Sequence, residues 1–469
     1  MLFSSLIFLF MFLPLFFICY FIAGKRKNRN IILLLFSLAF YAWGEPIYIV
    51  LMILSIVFNY YIAIYMEKLK KSERKRKQIF IFGIVINILA LAVFKYLDFI
   101  IDTVNIIPSF NIPLANIALP IGISFYTFQI MSYIIAVYQK KVKVQKSILY
   151  LGCYIAAFPQ LIAGPIVRYS DVDEEIEERH ESIQLFASGI RRFIIGFGKK
   201  IIIADNLAFV ASQIFMGSAN EYGFIGSWIG IICYGLQVYY DFSGYSDMAL
   251  GLGKMLGFNY LENFNYPYIA KSVTDFWRRW HISLSSFFRD YVYIPLGGNR
   301  CSILKHIRNI LIVWLLTGLW HGAEWTFVFW GGYFGIILMA EKYFIGKYLE
   351  KSPSIIQHLY TLLVVIISWV LFRSASVKEM LDISSSMLFI NGLGNIKYLE
   401  YFQIIQVKYI IIFITGIIAT IPFKNLFITK INKSPKLQYF GDILLIIIML
   451  LSLLMILSGS YSPFIYFRF

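Results

Sequence analysis

One histidine of this chain lies in the middle of an apolar run. His321 falls within the sequence TGLWHGAEW, inside a run that extends from about residue 310 to residue 340. A helix that leaves the basic cluster ending at Arg308 would reach His321 after about 18–20 Å, at ~1.5 Å per residue. The hydrocarbon core of a bilayer is about 30 Å thick. We therefore expect His321 at membrane depth, where an ionisable side chain is costly and marks a functional site.

The residues around His321 could build a ligand pocket. Small residues would clear space and tryptophans would form walls, and the sequence offers two of each: Gly318, Gly322, Trp320 and Trp325. If the helix continues past His321, Glu324 could orient or polarise the imidazole ring. The alternative is structural, with His321 hydrogen-bonded to a neighbouring helix inside a bundle. The setting favours a functional site.

A second histidine lies in the segment 274–291, which predicts an amphipathic helix. On a helical wheel of 100° per residue, one apolar face contains Trp277, Trp280, His281, Leu284, Phe288 and Tyr291. Such a helix suits a membrane interface. Solvation gives no reason for a histidine on its buried face, so we interpret His281 as a second site residue. The alternative is a core histidine hydrogen-bonded to a backbone carbonyl.

Two further segments are unusual for an apolar chain. Residues 239–247, YYDFSGYSD, bring Asp241, Ser243 and Asp247 directly after an apolar helix. They could line an aqueous cavity or form a polar loop at the membrane surface, and the sequence favours neither. Residues 158–166 contain two prolines and a glycine, which predicts a broken or re-entrant segment packed on protein or lining a cavity.

The elements that position these residues must be membrane helices. Of the 469 residues, 59% are hydrophobic and 14% charged, and the mean hydropathy is +0.72. This composition excludes a soluble domain and predicts an all-α polytopic membrane protein. We expect about eleven transmembrane helices with additional re-entrant and amphipathic helices, in one membrane domain over residues 1–469. The basic residues after the first apolar segment predict an uncleaved first helix rather than a signal peptide.

The net charge of +16 does not indicate a nucleic-acid partner. The basic residues lie in short loops, as the positive-inside rule requires, at residues 25–29, 68–77, 140–146, 300–308 and 424–436. With the first two loops in the cytoplasm, the amino terminus lies outside. Four scattered cysteines predict no disulfide framework. Five histidines without ligand spacing predict no metal, and we expect no tightly bound cofactor.

Several long stretches of the chain resemble the membrane-bound O-acyltransferase family, in the bacterial group that includes the alginate O-acetylation membrane subunit. They appear in family order and cover most of residues 119–335: LPIGISFYTFQIMSYIIAVY (119–138), FPQLIAGPIVRY (158–169), YDFSGYSDMALGLGKMLGF (240–258), NFNYPYIAKSVTDFWRRWHISLSSFFRDYVYIPLGGNR (263–300) and LLTGLWHGAEWTFVFWGGYFG (315–335). The resemblance implies the family's helical bundle. It also implies that His321, in the WHG motif, is the catalytic residue and that His281, in the RRWH motif, is the second family histidine.

The implied reaction is transfer of an acyl group, expected to be acetyl, from an activated donor to a hydroxyl. A histidine near its normal pKa can take the hydroxyl proton as the bond forms. His321 is the predicted general base, with an acyl-imidazole on His321 as the alternative. His281 would orient the donor, hold the oxyanion or act on His321. The predicted substrate-binding residues are Trp277, Trp280, Trp320, Trp325, Asp241, Ser243 and Gly322.

The resemblance further implies a setting and partners. The donor would be acetyl-CoA or another acyl thioester in the cytoplasm, and the acceptor an exported or cell-surface polysaccharide. The family typically works with an exported or membrane-anchored esterase-like protein, in the bacterial cytoplasmic membrane. Two routes should therefore meet at a constriction near His321, one from each side of the membrane. We expect the side chains of His281 and His321 to approach one cavity, less than about 15 Å apart, because proton or acyl transfer needs near contact.

Three other functions remain open. A related branch of the family transfers D-alanine to teichoic acid. A proton-coupled transporter could use His321, Asp241 and Asp247 as a relay, although transporters often contain internal repeats and this sequence has none. A scaffold that only assembles a glycan-export machine is the third. Thioester hydrolysis or acyl labelling by the purified protein, with and without His321, would separate them.

Overall fold

The chain is described here from a computed structural model. The structure describes residues 1–162, 164–395, 406–422 and 435–459. In these ranges the secondary structure is helical throughout, without a strand, as the composition predicts. The basic segment predicted at 424–436 lies almost wholly outside the described residues, as does Ala163 in the predicted break.

Two compact units make up the chain. Unit 1 contains residues Met1–Phe193 and Met248–Leu261, and unit 2 contains Ile194–Asp247 and Glu262–Phe469. The sequence-based prediction of one membrane domain stays a prediction.

Unit 1 is built from the amino-terminal helices. Its helices are α1 (Leu13–Ile22), α2 (Arg26–Gly44), α3 (Ile49–Lys68), α4 (Glu73–Asn105), α5 (Ile123–Tyr138), α6 (Ile148–Ala156), α7 (Phe158–Leu161) and α8 (Asp173–Glu177), with most of α9 (Ile183–Gly198). The predicted break near residue 158 is present, because α6 ends at Ala156 and α7 has only four residues. Pro159 in the first turn of α7 lacks the N–H that a continuing helix would need.

A buried ionic cluster stabilises unit 1. The Arg179 guanidinium, fully buried, donates hydrogen bonds to the Leu256 carbonyl (3.0 Å), the Tyr20 hydroxyl (2.9 Å) and the Asn30 side-chain oxygen (2.7 Å). Glu181 accepts hydrogen bonds from Arg26 and Arg29 at the start of α2. Burial alone would raise the pKa of Glu181, but hydrogen bonds from Arg26 and Tyr20 and the nearby arginine charges lower it to about 2. Two arginines of the basic segment 25–29 are therefore paired with an acidic residue.

Unit 2 carries both predicted site histidines. Its helices are α10 (Asp205–Ile214), most of α11 (Ala219–Met255), α12 (Val273–Arg279), α13 (Ile282–Phe288), α14 (Ile303–His321), α15 (Trp325–Ala340), α16 (Gly346–Leu349), α17 (Ser354–Arg373), α18 (Val377–Met387), α19 (Val407–Ile418) and α20 (Pro435–Leu457). Five helices in the described chain are long and apolar enough to cross a membrane: α3, α4, α14, α17 and residues Lys436–Leu457 of α20. The predicted total of about eleven stays a prediction.

Candidate active site

His321 is the last residue of α14. The helix does not continue, because Gly322 is extended (φ −158°, ψ 154°) and α15 begins only at Trp325. The apolar run predicted over 310–340 is therefore a helical hairpin. Glu324 was expected to orient the imidazole only if the helix continued past His321. The helix ends there, and Glu324 instead precedes the first turn of α15.

The glycines of this hairpin serve close packing. A Cβ on Gly318 would overlap the carbonyl oxygen of Phe327 on α15, and a Cβ on Gly331 would overlap the carbonyl oxygen of Trp314 on α14. A Cβ on Gly322 would overlap the Phe327 ring. The space that the sequence reserved for a ligand beside Gly318 and Gly322 is thus occupied by the other helix. A substrate-binding role for Gly322 stays a prediction.

Aromatic rings surround the His321 side chain, which is buried. Its ring centroid lies 4.9 Å from that of Trp320, 5.1 Å from Trp330 and 5.2 Å from Phe372. Trp330 comes from α15 and Phe372 from α17. Sequence reasoning missed both. Trp330 becomes a neighbour of His321 only because the chain folds back as a hairpin, and Phe372 lies beyond residues 119–335, the part of the chain that contains the family motifs. The cage excludes water, which strengthens electrostatic effects at the imidazole.

His281 lies in a break between two helices. The single amphipathic helix predicted for 274–291 is wrong: α12 ends at Arg279, Trp280 is extended, and α13 begins at Ile282. His281 has a left-handed backbone (φ 43°, ψ 55°). A non-glycine residue in this region costs about 1–3 kcal/mol, and such residues cluster at functional sites. The wheel failed because its angles hold only along an unbroken helix.

The two histidines share one neighbour. The His281 ring centroid lies 5.7 Å from that of Trp320, which is 4.9 Å from that of His321. The two imidazole centroids are therefore no more than 10.6 Å apart, the sum of these two distances, which meets the expected separation of less than about 15 Å. His281 is buried, and its Nδ1 has no hydrogen-bond partner outside its own residue in the described chain.

The four predicted tryptophans do not share one position. Trp320 lies between the two histidines. Trp277 contacts Trp330 (5.6 Å between centroids), and Trp330 in turn contacts His321. Trp280 packs on Trp369 of α17 (5.2 Å). Trp325 is 44% exposed and its ring contacts Phe329.

The polar segment 239–247 lies inside α11. The surface-loop interpretation is therefore wrong, because the segment continues the apolar helix that precedes it. Asp241 is buried and lies 2.9 Å from the Lys200 ammonium, which also binds Asp205 at 2.7 Å. Ser243 is buried, and its hydroxyl has no hydrogen-bond partner in the described residues. Phe242, between them, reaches His281 with 6.4 Å between ring centroids.

A groove with basic residues, which we call the His306 groove, runs along one face of α14. Its volume is about 370 Å³. The α14 residues that line it are spaced as successive turns of one helix face: His306, Ile310, Val313, Trp314 and Thr317. His321 is on the same face, one turn beyond Thr317. The other walls include Trp277 and the cationic side chains Arg278, Arg289 and Lys342.

A larger cavity, which we call the Arg373 cavity, lies beyond the end of α14. Its volume is about 760 Å³, and it is lined by carboxylates, amides, cations and aromatic rings, including Asp205, Gln237, Glu324, Phe327, Phe372, Arg373, Glu379 and Lys408. Phe372 is also a wall of the His321 cage. The described linings of the groove and the cavity include neither site histidine, so a cavity shared by both histidines stays a prediction.

The described residues contain no group of three or more histidine, cysteine, aspartate or glutamate side chains placed to hold a metal ion. The two histidines and the rings that contact them form a candidate site of two imidazoles with indole and phenyl walls. Such groups can move a proton and bind an acyl group.

Comparisons with known proteins agree with the sequence motifs. A sequence model of the membrane-bound O-acyltransferase family matches residues 5–377. The chain is 43% identical to "Probable alginate O-acetylase" of Pseudomonas aeruginosa over 382 residues, which cover 81% of this chain and 73% of the relative. It is 35% identical to "Peptidoglycan O-acetyltransferase" of Helicobacter pylori, covering 84% and 81%. Identity to "Teichoic acid D-alanyltransferase" of Bacillus subtilis is 30%, covering 50% and 61%.

Proposed function

The chain belongs to the membrane-bound O-acyltransferase family, and on that premise we propose that it O-acetylates an exported or cell-surface polysaccharide. The relatives named for alginate and peptidoglycan O-acetylation match four-fifths of the chain or more. The relative named for D-alanyl transfer matches only half of it. These coverages support acetyl as the transferred group and a glycan hydroxyl as the acceptor.

His321 carries the proposed chemistry. The acceptor hydroxyl attacks the thioester carbonyl, a C–O bond forms, and the C–S bond breaks. The hydroxyl proton passes to His321 and then to the departing thiolate, so His321 acts first as base and then as acid. An acyl-imidazole on His321 is the alternative sequence. The observation that carries this proposal is a buried imidazole at the end of a helix, enclosed by three aromatic rings.

His281 would act on the same bound acyl group. Its ring contacts Trp320 on α14, and its open Nδ1 could donate a hydrogen bond to the oxyanion that forms at the thioester carbonyl. The geometry supports action on the bound substrate rather than on His321 itself, because the Trp320 ring lies between the two imidazoles and contacts both.

The His306 groove is our candidate for the donor route. Acetyl-CoA and other carrier thioesters bear phosphates, which Arg278, Arg289 and Lys342 would bind as charge-assisted partners. The groove follows α14 from the basic segment at residues 300–308 towards His321. Basic segments of this kind face the cytoplasm. The thioester end of the donor would then advance along the α14 face to the histidine.

The Arg373 cavity is our candidate for the acceptor route. Its lining includes the start of α15, the end of α17, the residues directly after α20 and the start of α19, together with residues of α10, α11 and α18. The opposite ends of α15, α17, α19 and α20 adjoin lysine-rich sequence, at residues 342–351 and 424–436. By the positive-inside rule those ends are cytoplasmic, and the cavity faces outward. Its carboxylates, amides and aromatic rings suit a polyhydroxyl acceptor or a partner's side chain.

The remaining parts of the proposal are a setting and a partner. We propose the bacterial cytoplasmic membrane, because an outward acceptor and a cytoplasmic thioester must meet within one membrane. An exported or membrane-anchored esterase-like protein would then carry acetyl from the Arg373 cavity to the polysaccharide.

The test uses the purified full chain in lipid nanodiscs with radiolabelled acetyl-CoA. We expect thioester hydrolysis or acyl labelling by the wild type and neither by His321→Ala. Hydrolysis of equal rate in both would contradict the catalytic assignment. Proton flux into proteoliposomes without any thioester turnover would instead support the transporter.

A further inference from the structure

The left-handed turn at His281 joins the ends of two helices. On one side the Trp280 N–H donates to the Phe276 carbonyl at 2.8 Å, and on the other the His281 carbonyl accepts the Ser285 N–H at 3.0 Å. Helix α12 ends before it and α13 begins after it. A sparsely populated backbone conformation persists only when the surrounding structure determines it. Further hydrogen bonds, from outside the two helices, add to these two.

They come from the preceding segment, residues 263–265. The Asn263 carbonyl accepts the Ile282 N–H at 2.9 Å, and its side-chain oxygen accepts the Ser283 N–H at 3.1 Å and the Ser283 hydroxyl at 2.9 Å. On the other side of the turn, the Asn265 N–H donates to the Arg279 carbonyl at 2.9 Å. The segment thus binds the chain immediately before and after His281.

The Asn263 side chain also satisfies the first turn of α13. The first N–H groups of a helix have no partner within the helix, and a side-chain oxygen that accepts them has a capping role. Asn263 is buried, so water does not replace these bonds. The next residue, Phe264, contacts the His281 ring with 6.1 Å between centroids. Backbone and ring of His281 are therefore both set by this segment.

We propose that Asn263 is a positioning residue for His281, holding the turn that points the imidazole at Trp320 and the reacting acyl group. This proposal rests on the acetyltransferase function proposed above. Asn263 binds Ile282 and Ser283 rather than a histidine ring, and it therefore acts through the backbone of the turn. A small displacement of a catalytic group can cost about 100-fold in rate, so the loss should be visible in turnover.

The experiment is a double-mutant cycle on acetyl transfer, using the full chain in nanodiscs. Asn263→Ala should lower kcat about 10-fold to 100-fold in the wild-type background. In the His281→Asn background the same change should cost less than about 2-fold, because residues that act as a unit are not additive. Equal losses in both backgrounds would overturn the proposal.

Two variants separate positioning from stability. Ser272→Ala removes the N-terminal cap of α12, where the Ser272 hydroxyl oxygen accepts the Asp275 N–H at 3.0 Å, and should shift the thermal midpoint without a comparable loss of kcat. Asn263→Asp keeps both acceptor interactions and should recover most of the rate. A Ser272→Ala loss as large as that of Asn263→Ala would show that general destabilisation explains the effect.

If Asn263→Ala does not fold, Ser283→Ala replaces it in the cycle. This variant removes the hydroxyl bond to Asn263 and keeps the backbone one, so we expect about a 3-fold loss of kcat, absent in the His281→Asn background. The same loss in both backgrounds would overturn the proposal. An inactive wild type would instead contradict the acetyltransferase function, and a fully active His281→Asn would contradict the role of His281.

Discussion

Two buried regions of this chain hold ionisable groups by opposite means. In unit 1, Arg179 and Glu181 are enclosed by hydrogen-bond partners from α2, from Tyr20 and from the Leu256 carbonyl. In unit 2, His321 is enclosed by the rings of Trp320, Trp330 and Phe372. The first region pairs its ionisable groups with hydrogen-bond partners from three segments, whereas the walls of the second are aromatic rings.

This difference separates structure from chemistry. A fully bonded buried network makes a region rigid. Around the histidines, several buried polar atoms have no hydrogen-bond partner beyond their own residue in the described chain: His281 Nδ1, Trp277 Nε1, Trp330 Nε1 and Ser243 Oγ. Buried polar atoms are normally bonded, and we expect these atoms to be available to a bound substrate.

The largest expected effect is at the centre of the aromatic cage. His321→Ala should lower acetyl transfer by about 1,000-fold or more, in the range expected for losing a general base, while the thermal midpoint changes little. Radiolabelled transfer assays and melting curves measure both. The control is His180→Ala, an exposed histidine, which should keep wild-type turnover. Normal acylation by His321→Ala would return His321 to a structural role.

The ionic cluster should give the reverse pattern. Arg179→Met leaves buried acceptors unpaired and should reduce the free energy of unfolding by about 3 kcal/mol, close to a 150-fold change in the folding equilibrium. Turnover per folded molecule should hardly change. Chemical denaturation and active-site-normalised rates test this. A large loss of kcat with unchanged stability would show that the ionic cluster contributes to catalysis rather than to folding.

His281 tests whether the open polar atoms matter. His281→Asn should reduce kcat about 100-fold with near-normal stability, since asparagine tolerates the left-handed conformation at this position. His358→Asn is the matched control, because His358 bonds the Ala270 carbonyl through Nδ1 (3.1 Å) and lies elsewhere on α17. Similar losses in the two variants would argue that His281 is a core histidine.

A smaller effect is expected from crowding the cage. Gly322→Ala forces the Phe327 ring away, and Phe327 packs on Phe372, 5.1 Å between centroids. Overpacking costs about 1–3 kcal/mol, so turnover should fall about 10-fold. Gly332→Ala places the same methyl group on α15 with no atom within 4 Å and should behave as wild type. Equal turnover by the two variants would show that the position of the Phe372 ring does not affect acetyl transfer.

The smallest effect concerns pH in the ionic cluster. The folded pKa of Glu181, about 2, lies below its ordinary value of 4.5. Its contribution to stability is therefore complete above about pH 4.5 and is lost as the pH falls towards 2. The thermal midpoint should decline over that interval, and Glu181→Gln should flatten the decline. A Glu181→Gln profile parallel to that of the wild type would assign the acid sensitivity to other carboxylates.

The sequence predicts the helices of this protein better than their interruptions. Apolar composition and family motifs led to an all-helical fold, the break near Pro159 and the two histidines. The hairpin after His321 and the turn at His281 were missed, because each depends on contacts from distant residues: Phe327 against Gly322 in one, Asn263 against α13 in the other. Local periodicity contains no record of such contacts.

The sequence also did not predict which rings surround His321. Trp320 adjoins His321 in the chain and was easy to assign, whereas Phe372 lies 51 positions away on α17, outside the motif-bearing core. Asp241 was predicted among the substrate-binding residues, yet the structure gives it a buried lysine partner. Whether a buried carboxylate faces a substrate or a cation is decided by tertiary packing alone.

The contact of α14 with α15 at Gly318 and Gly331 has a consequence for motion. With backbone against backbone, these two helices cannot slide or separate by small steps, and we expect them to move as one rigid body. His321, Trp320 and Trp330 then keep their mutual positions through the reaction cycle. Any opening of the cage must therefore come from the Phe372 ring, because this ring belongs to α17 and not to the hairpin. The timing of substrate entry would then be governed by rotamer changes of one phenylalanine, on a timescale that relaxation measurements of its ring can reach.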